Sequence, residues 1–157
     1  MKPEEFKPYG QEEPAKEKPT PAEKEFIEKV YKGIDWKQPG KGSLELFKEA
    51  KQLQSSDADM WFILGLALYD GKHYSEALEA FDEAVKLQKD KPSRFAYARI
   101  VWQGHILDLL GRRNEAIERY KEGLKRYSGD RVQHDQWGIW IDRKWIEERL
   151  KTPFDRK

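Results

Sequence analysis

The sequence contains no cysteine, and its acidic and basic side chains nearly cancel. Without cysteine the chain has no disulfide, no catalytic thiol and no zinc site built on thiolates. There are 30 Lys and Arg against 29 Asp and Glu, so the net charge is +1. Such a balance gives no long-range attraction to nucleic acid or to an anionic membrane. We therefore expect no nucleic-acid partner.

Long apolar runs are also missing. No run approaches the roughly 20 residues that a membrane-spanning helix needs. The stretch of residues 2–19 is polar and rich in proline, so it offers no apolar signal-peptide core. We expect no membrane insertion, and either a cytoplasmic protein or a soluble domain excised from a larger one.

The composition divides the chain into three parts. Residues 1–19 contain four prolines among Glu and Lys, which predicts a flexible linker that buries too little apolar surface to fold. From residue 20 to residue 151 apolar and charged side chains interleave, and six tryptophans lie in the whole chain. This part is predicted to be the folded domain, followed by a short tail over residues 152–157.

Apolar side chains recur at helical spacing throughout the predicted domain. The run from Thr20 to Glu23 matches a capping box with proline at the first helical position, so the first helix should begin there. The later stripes and breaks place helices at about residues 44–53, 61–69, 77–85, 93–110, 116–124 and 131–150. No segment alternates with a period of two over a strand length, so the sequence predicts an all-α fold.

Residue types repeat at fixed intervals along these helices. Phe47 and Ala50 recur 34 positions later as Phe81 and Ala84. Two further spacings, each of 12 residues, join a glycine to an alanine: Gly65 to Ala77 and Gly104 to Ala116. A repeat of this length is typical of stacked helix pairs, in which each pair covers the apolar face of its neighbour.

The second unit resembles the tetratricopeptide repeat (TPR), whose pattern is an aromatic residue, Leu-Gly, Ala, an aromatic residue and Ala. The matching residues are Trp61, Leu64, Gly65, Ala77, Phe81 and Ala84. The resemblance implies a right-handed superhelix of about three helix pairs, near residues 24–57, 58–91 and 97–130. A closing helix over residues 131–150 would cap it. We expect the glycine and alanine of each repeat to meet where its helices approach most closely.

The resemblance further implies a concave groove, lined by the first helix of each pair, that binds an extended or helical peptide. The corresponding residues are Asp59, Phe62, Leu66, Tyr69, Asp70, Val101, Trp102, His105, Asp108, Asp135, Ile139 and Arg143. The centre of this set is apolar and its polar members are mostly acidic. We therefore predict a non-enzymatic adaptor or scaffold that binds an apolar protein segment with basic flanks. The alternative is that these side chains only solvate the groove or contact their neighbours within the chain.

The closing helix carries more apolar surface than a terminal cap needs. Trp137, Trp140 and Trp145 are predicted to share one face, with further apolar residues opposite them. A second cover is therefore expected, and it has three alternatives: the tail near Phe154, a second copy of the chain, or a further domain. The second alternative predicts a self-associating structural domain of a larger protein that dimerises through this helix.

No pattern in the sequence indicates catalysis or a cofactor. The three histidines, His73, His105 and His134, have no acidic partner at metal-ligand spacing on their own helices. There is no glycine-rich phosphate loop and no nucleophile elbow. We therefore expect no enzyme activity, no metal and no cofactor.

Overall fold

The computed structural model describes residues 19–88, 93–134 and 137–156. Helices account for most of these residues and pack as adjacent pairs, so the predicted all-α class is confirmed. The helices are α1 Pro21–Gly33, α2 Ser43–Leu53, α3 Ala58–Asp70, α4 Tyr74–Gln88, α5 Ala96–Leu109, α6 Arg113–Lys125 and α7 Arg143–Lys151. Two short strands, β1 Val132–His134 and β2 Ile139–Ile141, lie between α6 and α7. The predicted N-terminal linker lies outside the described residues, apart from its last residue.

Side-chain caps determine where the early helices begin. The Thr20 hydroxyl accepts a hydrogen bond from the Glu23 amide at 3.1 Å, and the Asp57 carboxylate accepts one from the Met60 amide at 2.9 Å. The first of these caps was predicted from the sequence. The Glu23 carboxylate instead accepts from the Ser56 amide at 2.9 Å, which ties α1 to the connection between α2 and α3.

Glycines allow the helices of the second and third pairs to approach closely. A Cβ atom added to Gly65 in α3 would lie 2.6 Å from the Phe81 ring of α4, and one added to Gly104 in α5 would lie 2.5 Å from the Tyr120 ring of α6. The nearest neighbour of each glycine is thus an aromatic ring of the same helix pair. Ala77 and Ala116, the alanines predicted for the close approach, are fully buried in the same helix pairs.

Gly65→Ala is expected to destabilise the protein by about 1–3 kcal/mol, because the buried Phe81 ring has no free space into which it can withdraw. This loss exceeds the gain of up to about 1 kcal/mol from higher helix propensity. Gly33→Ala is the matched control, since a Cβ there meets nothing within 4 Å. Urea unfolding of both variants measures the difference, and an equal change in the two would contradict the packing argument.

The predicted closing helix over residues 131–150 is wrong in its first half. Its first twelve residues contain the antiparallel hairpin of β1 and β2, and among the described residues of this range only α7 is α-helical. The paired residues are Val132 with Ile141, Gln133 with Trp140, and His134 with Ile139. Gly138, at a φ of 67°, lies immediately before β2, in a backbone conformation that favours glycine. A helix through this position would be strained.

The hairpin and α7 are attached to different parts of the helical array. The Tyr97 hydroxyl of α5 donates hydrogen bonds to the carbonyls of Asp130 and Ile141, at 2.6 and 3.0 Å, and so holds the base of the hairpin. Helix α7 begins at a cap in which the Asp142 carboxylate accepts from the Trp145 amide at 2.9 Å, and it packs against α6. It therefore lies next to α6 in the way that the first helix of a further pair would.

Candidate functional site

The predicted groove residues of α3 and α5 do come together on one side of the helical array. We call this surface the groove face, formed by Phe62, Tyr69, Trp102 and His105. Of the other predicted residues of these two helices, Leu66 is buried in the core, and Val101 lies against Gly123 of α6. Its members are buried, except that Phe62 is partly exposed. The groove face is therefore covered, and the residues that cover it belong to the same chain.

The hairpin segment covers the middle of the groove face. The Trp102 indole N–H donates to His134 Nε2 at 3.2 Å, and the Trp137 ring lies 5.1 Å from the Tyr69 ring in an edge-to-face arrangement. The Trp137 indole N–H also donates to Asp70 at 3.3 Å. Aromatic pairs of this geometry contribute about 0.5–1.5 kcal/mol beyond their burial. This part of the face is therefore a hydrophobic core in which the indole N–H groups of Trp102 and Trp137 are paired.

Residues 152–156, which we call the tail, cover the rest of the groove face. The Phe154 ring stacks on the His105 imidazole, with a centroid distance of 4.0 Å and an angle of 17°. The rings of Tyr69, Trp102 and Trp145 surround it at 6.2–6.3 Å. Phe154 is 5% exposed, so these four rings form an aromatic box that takes up a side chain from an extended segment.

A buried carboxylate anchors the tail backbone. The Phe154 amide donates to Asp108 Oδ2 at 2.8 Å. The Asp108 side chain, only 1% exposed, also accepts from the Tyr120 hydroxyl at 2.7 Å and from Arg113 at 3.1 Å to each carboxylate oxygen. All of these partners donate to the carboxylate, and three of the four contacts are to Oδ2.

Arg156 binds at the C-terminal end of α3. Its guanidinium donates to the carbonyls of Tyr69 and Asp70 and to the Tyr74 hydroxyl, the last two at 3.2 and 3.4 Å. It also lies 4.3 Å from the centre of the Tyr69 ring and 3.7 Å from an Asp70 carboxylate oxygen. A cation at a helix C-terminus is favoured by the helix dipole as well as by these contacts.

The remaining predicted groove residues do not form one open surface. Asp59 is paired with Arg99, whose guanidinium covers the Phe62 ring at 5.1 Å. Ile139 is buried as part of the hairpin. Arg143 is exposed and lies 5.3 Å from the Tyr127 ring, between α6 and α7. Asp135 lies outside the described residues.

The three tryptophans predicted to share a face are separated by the hairpin. Trp137 points into the groove face, and the Trp145 indole N–H donates to His105 Nε2 at 3.0 Å. Trp140 points outward, is 40% exposed and lies 4.2 Å from the Arg131 guanidinium. The predicted common face was therefore wrong. Of the three alternative covers, the structure contains the tail.

Burial determines the electrostatics of the site. The pKa of His105 lies well below its usual value of 6.5, because the fully buried ring loses solvation and Arg149 and His134 lie nearby. A neutral imidazole is required, since His105 Nε2 accepts the bond from Trp145. Burial also raises the pKa of Tyr69 to about 12, and it raises that of Tyr120 further, with the Asp108 carboxylate as a second cause.

Acidification is expected to destabilise the native state through His105. Because the unfolded state binds the proton more readily, stability falls as pH drops below 6.5, by at most about 1.4 kcal/mol per pH unit for one group. Urea unfolding at pH 7.0 and 5.5 measures this loss. We expect a smaller loss for His105→Asn, since the other titrating groups are common to both proteins. Equal losses of unfolding free energy in the wild type and in His105→Asn would show that His105 does not cause the acid destabilisation.

The sequence pattern did not indicate that the hairpin and Arg156 cover the groove face. The alternation of burial in Val132–His134 and Ile139–Ile141 was too short to count as a strand pattern. Phe154 was noted as a cover for the last helix, but Arg156 was not considered as a partner for Asp70. No group of three metal-binding side chains occurs in the part of the chain that the structure describes, and no helix there is long and apolar enough to cross a membrane.

Comparison with known proteins gives one result. Residues 58–91, which contain α3 and α4, match the family model of the tetratricopeptide repeat. No curated protein and no solved structure matches the chain. Repeats of this family are generally non-enzymatic and bind other proteins. Residues 58–91 are therefore identified as a tetratricopeptide repeat, and the helices of the chain pack in adjacent pairs, as in an all-α helical-repeat protein of this kind.

Proposed function

We propose that the protein is an adaptor whose groove face binds an extended segment of a partner protein. The observation that carries this proposal is the tail itself. An extended segment that leaves α7 runs over α5 to the end of α3 and is held there by a backbone hydrogen bond, an aromatic box and an arginine site. The chain thus contains an intramolecular ligand at the place where the family binds peptides.

Few contacts hold the tail, which makes exchange with a partner feasible. The ring of Phe154 contributes about 1.5–3 kcal/mol by burial. Arg156 is partly solvated, so its ion pair with Asp70 adds little. If the free energy of tail docking is about 2–3 kcal/mol in favour of the docked state, the site is open in roughly 1–3% of molecules. The apparent affinity of a partner is then reduced by roughly 30- to 150-fold. A partner therefore competes with the tail and does not need to unfold the domain.

A pull-down with two full-length baits tests this function. One is the wild type and the other, the tail-released variant, carries Phe154→Ala and Arg156→Ala. We expect the variant to retain more of a specific protein from an extract of the source cells. A peptide of residues 151–157 should displace that protein, whereas the same peptide with alanine at the Phe154 position should not.

The result has a clear negative outcome. Capture that is equal for both baits and insensitive to the peptide would place any binding surface elsewhere and contradict the proposal. The earlier alternative of a self-associating domain predicts a different result. A wild-type dimer in sedimentation would favour it, particularly if Trp140→Glu on the outer side of β2 abolished the dimer.

A further inference from the structure

We propose that the groove face recognises a partner segment in which an aromatic residue is followed, two positions later, by an arginine. This inference rests on the proposed function and specifies its ligand. It is drawn from the way in which the tail residues Phe154 and Arg156 are bound, while Asp155 between them is exposed. The partner is thus defined by an aromatic-x-arginine motif in extended conformation.

The first subsite selects a flat ring. The parallel contact of Phe154 with His105 at 4.0 Å uses one face of the ring, and the edges of Tyr69, Trp102 and Trp145 close the sides. Branched aliphatic side chains have no face to stack in this way. The box therefore favours an aromatic residue over leucine or valine of similar hydrophobicity.

The second subsite requires a backbone N–H on that aromatic residue. The Asp108 side chain is buried, and its Oδ2 atom accepts from the Phe154 amide at 2.8 Å as well as from Tyr120 and Arg113. A segment without this donor would lose a hydrogen bond to a buried carboxylate, which is stronger than a bond between neutral groups. Proline is therefore excluded at the aromatic position, whereas proline precedes it in the tail.

The third subsite fits a guanidinium better than an ammonium group. Arg156 reaches two carbonyls, one hydroxyl and one carboxylate at once, and its planar group also lies over the Tyr69 ring. A lysine offers a point charge that cannot satisfy this set in one geometry. The side chain between the two anchors points to solvent, so its identity should matter little.

Labelled peptides test the motif on the tail-released variant at full length. The probe is the sequence of residues 151–157, Lys-Thr-Pro-Phe-Asp-Arg-Lys, read by fluorescence anisotropy. Alanine in place of phenylalanine is expected to weaken binding roughly 10- to 100-fold. Lysine in place of arginine is expected to weaken it about three- to tenfold. Alanine in place of the intervening aspartate is the matched control and should change affinity less than about twofold.

Two further probes distinguish specific recognition from nonspecific hydrophobic binding. N-methylation of the phenylalanine amide keeps the ring but removes the donor to Asp108, and it should weaken binding at least about tenfold. Asp70→Asn in the protein should reduce the preference for arginine over alanine at the last anchor. If the double variant folds poorly, the single variant Arg156→Ala serves as the peptide-binding protein. Its own Phe154 ring still occupies the aromatic box in part of the molecules. Circular dichroism checks each fold.

The outcomes distinguish this inference from the proposed function. Equal binding of the parent, the alanine-substituted and the N-methylated peptides would overturn the motif, even if a cellular protein were captured. The predicted order of affinities, with a captured protein that the peptide does not displace, would support the motif and contradict the proposed adaptor role. A wild-type dimer that Phe154→Ala dissociates would assign the site to the tail of a second copy and overturn the partner assignment.

Discussion

Trp102→Ala is expected to lower the free energy of unfolding by about 3–5 kcal/mol. The Trp102 ring is fully buried and lies between α3, the hairpin and the tail. Its centre is 5.0 Å from that of Tyr69, 5.8 Å from that of Trp137 and 6.2 Å from that of Phe154. Removing it opens a cavity that the surrounding rings cannot fill, and it also leaves His134 without the indole donor.

The matched control is Trp140→Ala in β2. This ring is 40% exposed and contacts the Arg131 guanidinium on the outer side of the hairpin, so its loss should cost less than about 1 kcal/mol. Equilibrium unfolding in urea, followed by circular dichroism, compares the two variants with the wild type. Similar losses for both would show that the groove face is not the packed centre described here.

Asp108→Asn is expected to destabilise the protein by about 2–4 kcal/mol and to loosen the tail. The three partners of this carboxylate are donors, and an amide replaces one acceptor oxygen by a further donor. Breaking a fully buried ion pair costs about 3–5 kcal/mol, but Arg113 remains 27% exposed and keeps part of its hydration. We therefore expect Asp108→Asn to lower the free energy of unfolding by less than the loss of a fully buried ion pair would.

Asp59→Asn provides the comparison for the loss of a surface carboxylate. The Asp59 side chain is 67% exposed and pairs with Arg99, so its change should cost less than about 1 kcal/mol. Thermal and urea unfolding measure both variants at pH 7. If Asp108→Asn proved as mild as Asp59→Asn, the account of a buried anchor for the tail would be wrong.

The helical part of the fold was predictable because its signals are local. Thr20 acts as a cap in the predicted way, and the Gly-Ala spacing at Gly65 and Ala77 identified the repeat. What was missed concerns side-chain geometry. The ring of Phe81 fills the space over Gly65, and nothing in a one-dimensional pattern tells whether a glycine accommodates an alanine or a ring.

The alternation of apolar and polar residues in the sequence could not predict the hairpin. Each strand has three residues, too short to distinguish from one turn of an amphipathic helix. The stability of this hairpin comes from its contacts with Tyr97 and Trp102 on α5, which are more than 30 positions away along the chain.

The sequence predicted which residue types line the candidate site, but not that the tail of the same chain occupies it. Asp70 was expected to attract a basic group and Phe62 to line an apolar strip, yet the basic group turned out to be Arg156 of the same chain. Only a tertiary structure shows that residues 86 positions apart meet. The preference for an external segment with the same chemistry remains a prediction.

The occupancy of the groove face by the tail is tested most directly by the exchange of the Phe154 amide proton with solvent. In the free wild-type protein this amide donates to buried Asp108, so its exchange should be at least roughly tenfold slower than in an unstructured peptide of the same sequence. Arg156→Glu, which places a like charge beside Asp70, should accelerate it. Exchange at the unstructured rate in the wild type would contradict the account, because the groove face would then be open.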